Sequence, residues 1–139
     1  MYKTKVIGEH DLILVKFYLK SGDDIAVQFN SSAADVVADP AFRLGFDAII
    51  DYRGCELPED QVYYNDLSRR VDIKSTAKQI VRIIEKDRKH IINNMKIFTI
   101  FFRNERFFEK VSTVNDVRSA FRKLGRSNIY EDYKPFFTD

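Results

Sequence analysis

The chain predicts an α/β domain in which a mixed β-sheet, opening with an antiparallel hairpin, is covered by helices. Three observations lead there. Two β-type runs flank a short polar turn at the N-terminus, and apolar runs then alternate with helically spaced segments along the rest of the chain. The composition is 45% hydrophobic, with twelve Phe and seven Tyr in 139 residues, which is ample material for one core. A chain of this length buries roughly 70% of its unfolded surface on folding.

The elements follow in order. Residues 2–7 alternate, Gly8-Glu9-His10-Asp11 turns the chain, and a second β-type run goes from Leu12 to Leu19. On that run Leu12, Leu14 and Lys16 share one face, with Ile13, Val15 and Phe17 on the other, so a hairpin is expected. Ser21-Gly22-Asp23-Asp24 offers helix caps and acidic first-turn residues. Ile25, Phe29, Ala33, Val36 and Val37 then recur at helical spacing until Asp39-Pro40. Phe46 to Ile50, ending in Asp51, reads as a strand buried on both faces. Gly54 and Pro58 mark a loop, and Glu59 and Asp60 open a helix running to about Arg70.

The strongest helical pattern starts at Ser75. Its stripe is Ala77, Ile80, Val81, Ile84, Ile91 and Ile92, with Lys74, Lys78, Arg82, Lys86 and Lys89 outside and Asn93-Asn94 as the stop. Met95 to Phe102 is β-prone and reads as a central strand. Residues 104–109 fit either a short helix or a strand leading into Val111. Ser112 or Thr113 caps a last helix with Val114, Val117, Ala120, Phe121 and Leu124 inward, and Gly125 ends it. Residues 1–125 thus form one domain. Residues 126–139 form a tail whose four rings, Tyr130, Tyr133, Phe136 and Phe137, are expected to dock on the domain or on a second copy of the chain.

Composition also excludes. One Cys rules out a disulfide framework and a cysteine-rich zinc site, and fits a reducing, cytoplasmic compartment. No apolar run approaches the ~20 residues of a membrane span, and the N-terminus enters strand alternation without a secretory apolar core. The net charge of +2 hides an asymmetry: residues 1–68 carry 6 Lys/Arg against 12 Asp/Glu, and residues 69–126 carry 16 against 6. Such a layout marks either a basic face for an anionic partner or two halves that attract each other.

Chemistry-bearing residues are few. His10 and His90 lack any zinc-type spacing, and both read as solvated. The five glycines are scattered and form no phosphate cradle or nucleophile elbow. Asp51, Arg53, Cys55 and Glu56 lie at the mouth of a predicted strand, where α/β proteins bind ligands, and are the candidates for contact with a ligand or partner. Cys55 as a nucleophile would need an activating base, so a structural thiol is expected. Asp51, Glu56, Glu59 and Asp60 could supply oxygens to a hard cation but lack calcium-loop spacing, so no metal and no cofactor are expected. Lys78, Arg82, Lys86, Lys89, Arg103 and Arg106 form the candidate basic surface. The Phe101–Phe108 segment mixes rings and cations as single-strand binders do, without the glycines of an RNA-recognition signature.

The Tyr2–Leu19 hairpin, Asp39-Pro40-Ala41-Phe42, Ala48-Ile49-Ile50-Asp51-Tyr52-Arg53-Gly54 and Val111-Ser112-Thr113-Val114-Asn115-Asp116-Val117 together resemble bacterial STAS-like domains. That architecture is shared with anti-sigma-factor antagonists and grouped with the CRAL-TRIO lipid-binding fold. The resemblance covers residues 2–125 and implies a mixed-sheet α/β domain that regulates or binds proteins rather than catalysing. Antagonists of this family carry a phosphorylatable Ser shortly after the Asp-ending strand, whereas residues 54–60 here contain no Ser or Thr. The crossover between Phe102 and Val111 is also only some eight residues. The expected function is a non-catalytic regulatory or protein-interaction domain, with a second copy of the chain among its expected partners. The alternative is a binder of a small apolar or anionic ligand between helix and sheet, and nucleic-acid binding through residues 69–126 ranks third.

Overall fold

A computed structural model describes residues 1–70, 77–88, 90–91 and 111–138. Those residues form an α/β protein built on a five-stranded mixed sheet. The strands are β1 (Tyr2–Ile7), β2 (Leu12–Phe17), β3 (Asp47–Asp51), β4 (Ile80–Ile83) and β5 (Val111–Val114), and they lie side by side in chain order. Strands β1 and β2 pair antiparallel, with Tyr2 opposite Phe17 and Ile7 opposite Leu12, as the hairpin pattern predicts. Every later pairing is parallel.

Helix α1 (Ile25–Ala38) joins β2 to β3, and α2 (Gln61–Arg70) lies between β3 and β4. Each step moves one strand further in the same direction. Right-handed crossovers of that kind put both helices on one face of the sheet. Ile13, Val15 and Phe17 of β2, Ala48 of β3 and Ile80 of β4 meet Ile25, Phe29 and Val36 of α1 and Tyr64 and Leu67 of α2 there. Asp24 caps α1 by accepting from Val27 N–H at 3.2 Å, and Asp39 ends it in extended conformation before Pro40. Of the predicted stripe, Ile25, Phe29 and Val36 are buried and Val37 is exposed.

The opposite face carries Ile7, Leu12, Leu14, Ile49, Val81 and Ile83, covered by Val117, Ala120 and Phe121 of α3 (Val117–Lys123) and by the tail. The tail is a 3-10 turn (Ser127–Ile129), a single helical turn α4 (Tyr130–Tyr133) and a second 3-10 turn (Lys134–Phe137). Ile129 and Phe137 are 5% and 2% exposed, so residues 126–138 complete the second core instead of hanging beside it.

Two predicted elements are corrected. Ile80, Val81 and Ile84, read as a helical stripe, belong to or adjoin β4, with both faces buried. The run Ile80-Val81-Arg82-Ile83-Ile84 satisfies helix and strand spacing alike, because nearly every position is apolar and β-branched. What decides is the unpaired edge of β3: Ala48 N–H donates to Gln79 C=O and Tyr52 N–H to Ile83 C=O, both at 2.9 Å. Arg82, predicted to lie outside, is consequently 5% exposed inside the sheet. The second correction concerns Ser112, Thr113 and Val114. They form β5, and the cap of α3 is Asp116, which accepts from Ser119 N–H at 2.7 Å. Gly125 ends α3 as predicted, at φ +71°. The predicted strand Met95–Phe102 and residues 104–109 lie outside the described residues.

Candidate functional site

The carboxyl ends of β2, β3 and β4 bring three loops to one edge of the sheet. These are residues 18–24 ahead of α1, residues 52–60 ahead of α2, and the turn Lys86–Arg88 after β4. Between them opens a cleft of about 860 Å³ lined by both loops, by Tyr63 and Arg70 of α2, and by Arg88 and Ile91. It is the location where open α/β sheets place ligands.

Asp51 is the last residue of β3 and is fully buried. Parity puts it on the α3 face, directly opposite Lys16 in the β2 register. Arg53 clasps its carboxylate from two sides, Nε to Oδ1 at 3.0 Å and Nη2 to Oδ2 at 2.9 Å, and Arg53 N–H adds a third bond at 2.9 Å. That hydrogen bonding holds the guanidinium even more firmly protonated than usual. Lys16 approaches Oδ2 at 3.5 Å and donates to the Phe137 carbonyl at 2.9 Å. The carboxylate is therefore a structural anion between two cations, one of which also ties down the tail.

Cys55 is 2% exposed, and its S–H donates to Phe17 C=O at 3.2 Å. Burial pushes the thiol above its ordinary range, the opposite of what a nucleophile needs. Its carbonyl accepts from Arg88 Nη2 at 2.5 Å. Gly54, at φ +78°, donates its N–H to Glu85 Oε2 at 3.1 Å, and Glu85 pairs with Arg88 at 3.2 Å. Burial acts to raise the Glu85 carboxyl, but its backbone hydrogen bonds and the Arg88 guanidinium outweigh it and hold the group below its ordinary value.

Glu56 is exposed and bridges two loops: its Oε2 accepts from Ser21 N–H at 2.7 Å while its own N–H donates to Leu19 C=O at 2.9 Å. Across the cleft Arg70 meets the α1 cap Asp24 at 2.6 Å, and His90 meets Glu59 at 3.0 Å. The four predicted contact residues thus come together at the carboxyl end of β3, where Cys55 and Glu56 line the cleft while Asp51 and Arg53 lie outside its lining, Asp51 being turned to the α3 face. Sequence reading missed Lys16, Glu85 and Arg88, whose roles depend on strand register and on a turn that helix spacing disguised.

The basic candidates do not assemble into one surface. Lys78 and Lys86 are exposed at opposite ends of β4, Arg82 is buried, and Lys89, Arg103 and Arg106 lie outside the described residues, as does the Phe101–Phe108 segment. Each tail ring has an intramolecular partner. Tyr130 packs edge-on to Phe121 beneath Arg118, and Tyr133 packs on His10 and Lys5. Phe136 sits under Lys3, and Phe137 packs against Phe121.

Among the described residues no cluster of three or more His, Cys, Asp or Glu is placed to hold a metal, and no helix is long and apolar enough to cross a membrane. Compared with protein-family models, curated proteins and solved structures, the chain matches none of them.

Proposed function

We propose that the chain is a non-catalytic interaction domain of STAS-like architecture, presenting the loop edge around the cleft to a protein partner. One observation carries this reading: three described groups at that edge able to do chemistry, Asp51, Cys55 and Arg88, are spent on holding the loops. Asp51 is neutralised by Arg53 and Lys16, the Cys55 thiol is buried and bonded to Phe17, and Arg88 is divided between Glu85 and the Cys55 carbonyl. A loop edge fixed from beneath and polar on its outside is suited to recognition, because little ordering entropy remains to be lost on contact. The hairpin-led sheet with strands in chain order supports the STAS-like reading, and a serine phospho-switch on residues 54–60 is not part of it.

The test is site-specific photo-crosslinking in cells from Glu59 and Ser21 at the cleft, with Val37 at the far end of α1 as the control. We expect one protein to be captured from both cleft positions and not from Val37. The complex rebuilt from purified components should weaken roughly ten-fold on Glu59→Lys, a loss of about 1.4 kcal/mol. Turnover of any substrate by the purified chain, abolished by Asp51→Asn or Cys55→Ser while the fold persists, would overturn the reading.

A further inference from the structure

Arg82 stands apart from the other buried or half-buried arginines. It is third of the four residues of β4 and points, by parity with Ile80 and Ile84, to the face covered by α1 and α2. The register places it between Ile50 of β3 and Thr113 of β5. Its side chain is 5% exposed, its Nη2 reaches Thr113 Oγ1 only at 3.5 Å, and its Nε has no hydrogen-bond partner among the described residues.

The molecule supplies its own comparison. Arg53 uses the Nε and Nη2 edge of its guanidinium to grip the Asp51 carboxylate, and Arg126 pairs with Asp47. The same edge of Arg82 faces no carboxylate among the described residues. Guanidinium stays charged inside proteins, and an uncompensated buried charge is strongly destabilising. Burial accordingly works against the charged form of Arg82. The sheet itself does not require a cation here, since Ile80 and Ile84 on either side satisfy the same face with methyl groups alone. Ile50 and Thr113 beside it are only half-buried, so this stretch of the face is less tightly covered than the centre of the core.

We propose that Arg82, with the Thr113 hydroxyl, forms a subsite for a small oxyanion, a carboxylate or phosphate group, on the helix-covered face of the sheet between β3 and β5. The planar fork of Nε and Nη2 matches two oxygens of such a group, and the hydroxyl adds a donor at its side. The subsite is separate from the cleft and independent of the interaction role.

The experiment follows the Arg82 Nε–Hε resonance of the full-length chain by NMR while inorganic phosphate, or acetate in a parallel arm, is titrated to tens of millimolar. We expect a saturable shift of that resonance in one or both arms, which also tells phosphate from carboxylate preference. The Arg53 resonance should stay fixed. Arg82→Lys, which keeps the charge and loses the fork, should weaken binding roughly ten-fold, and Thr113→Val should weaken it less. An Arg82 resonance unmoved by both anions overturns the proposal, even if Arg82 variants fail to fold. So does a resonance showing the Arg82 fork already bonded to a carboxylate of the chain itself.

Discussion

Replacing Asp51 with Asn should be among the most damaging isosteric changes available to this protein. The carboxylate is fully buried and serves Arg53 and Lys16, but the two partners depend on it unequally. The Arg53 side chain is 32% exposed and can turn its guanidinium towards water, so its share is small. The Lys16 side chain is 9% exposed, and loss of the carboxylate leaves its ammonium buried against the Phe137 carbonyl without that counter-charge. Breaking a buried pair from one side costs about 3–5 kcal/mol, and the lower end applies here because Arg53 can adjust. Each kcal/mol shifts Tm by about 3–5 °C in a domain of this size, so D51N should melt at least ~10 °C below wild type. Lys16→Met is the informative contrast. It leaves Asp51 held by Arg53 and removes one donor from a carbonyl, a loss of about 1–2 kcal/mol. Urea unfolding of both variants gives the order directly, and both losses should persist in high salt because the pair is buried. A D51N protein as stable as K16M, or one whose deficit vanishes in high salt, would refute the reasoning.

Three further outcomes can be checked. Deleting residues 126–139 uncovers Phe121, Leu12, Leu14 and Ile49 on the second face, so sedimentation velocity should show self-association; an unchanged monomer of unchanged Tm would contradict it. Cys55 should react with a thiol reagent far more slowly than a free cysteine at neutral pH, and catch up only when urea unfolds the chain. Glu85 is held below its ordinary value of 4.5, so its stabilising contribution is present above that pH and lost as acid protonates the folded form. The stability gap between wild type and Glu85→Gln should therefore be widest near neutrality and shrink below about pH 4.5; a gap independent of pH would count against the assignment.

Local signals were sufficient where each had one physical solution. The alternation on either side of Gly8–Asp11 admits only a hairpin, and Asp24 before Ile25 with Pro40 after Asp39 brackets α1 within a residue or two. The apolar β3 run and the Gly125 stop are of the same kind, as is the gathering of Asp51, Arg53, Cys55 and Glu56 at the mouth of β3. Residues 80–84 were different. Their spacing fits a helix or a strand, and the donors and acceptors along β3 that choose between them lie some thirty residues upstream. With that choice went the position of Arg82, which turned from a surface cation into a buried one.

By itself, then, the sequence determined the α/β class, the opening hairpin, the limits of α1 and the start of α2, because these follow from neighbouring residues. Only the tertiary structure decided that Lys16 and Asp51 face each other, that the tail closes the second core through Phe137, and that Arg82 is enclosed. Each of these depends on strand register between distant segments, and one step of register moves a side chain from one face of the sheet to the other.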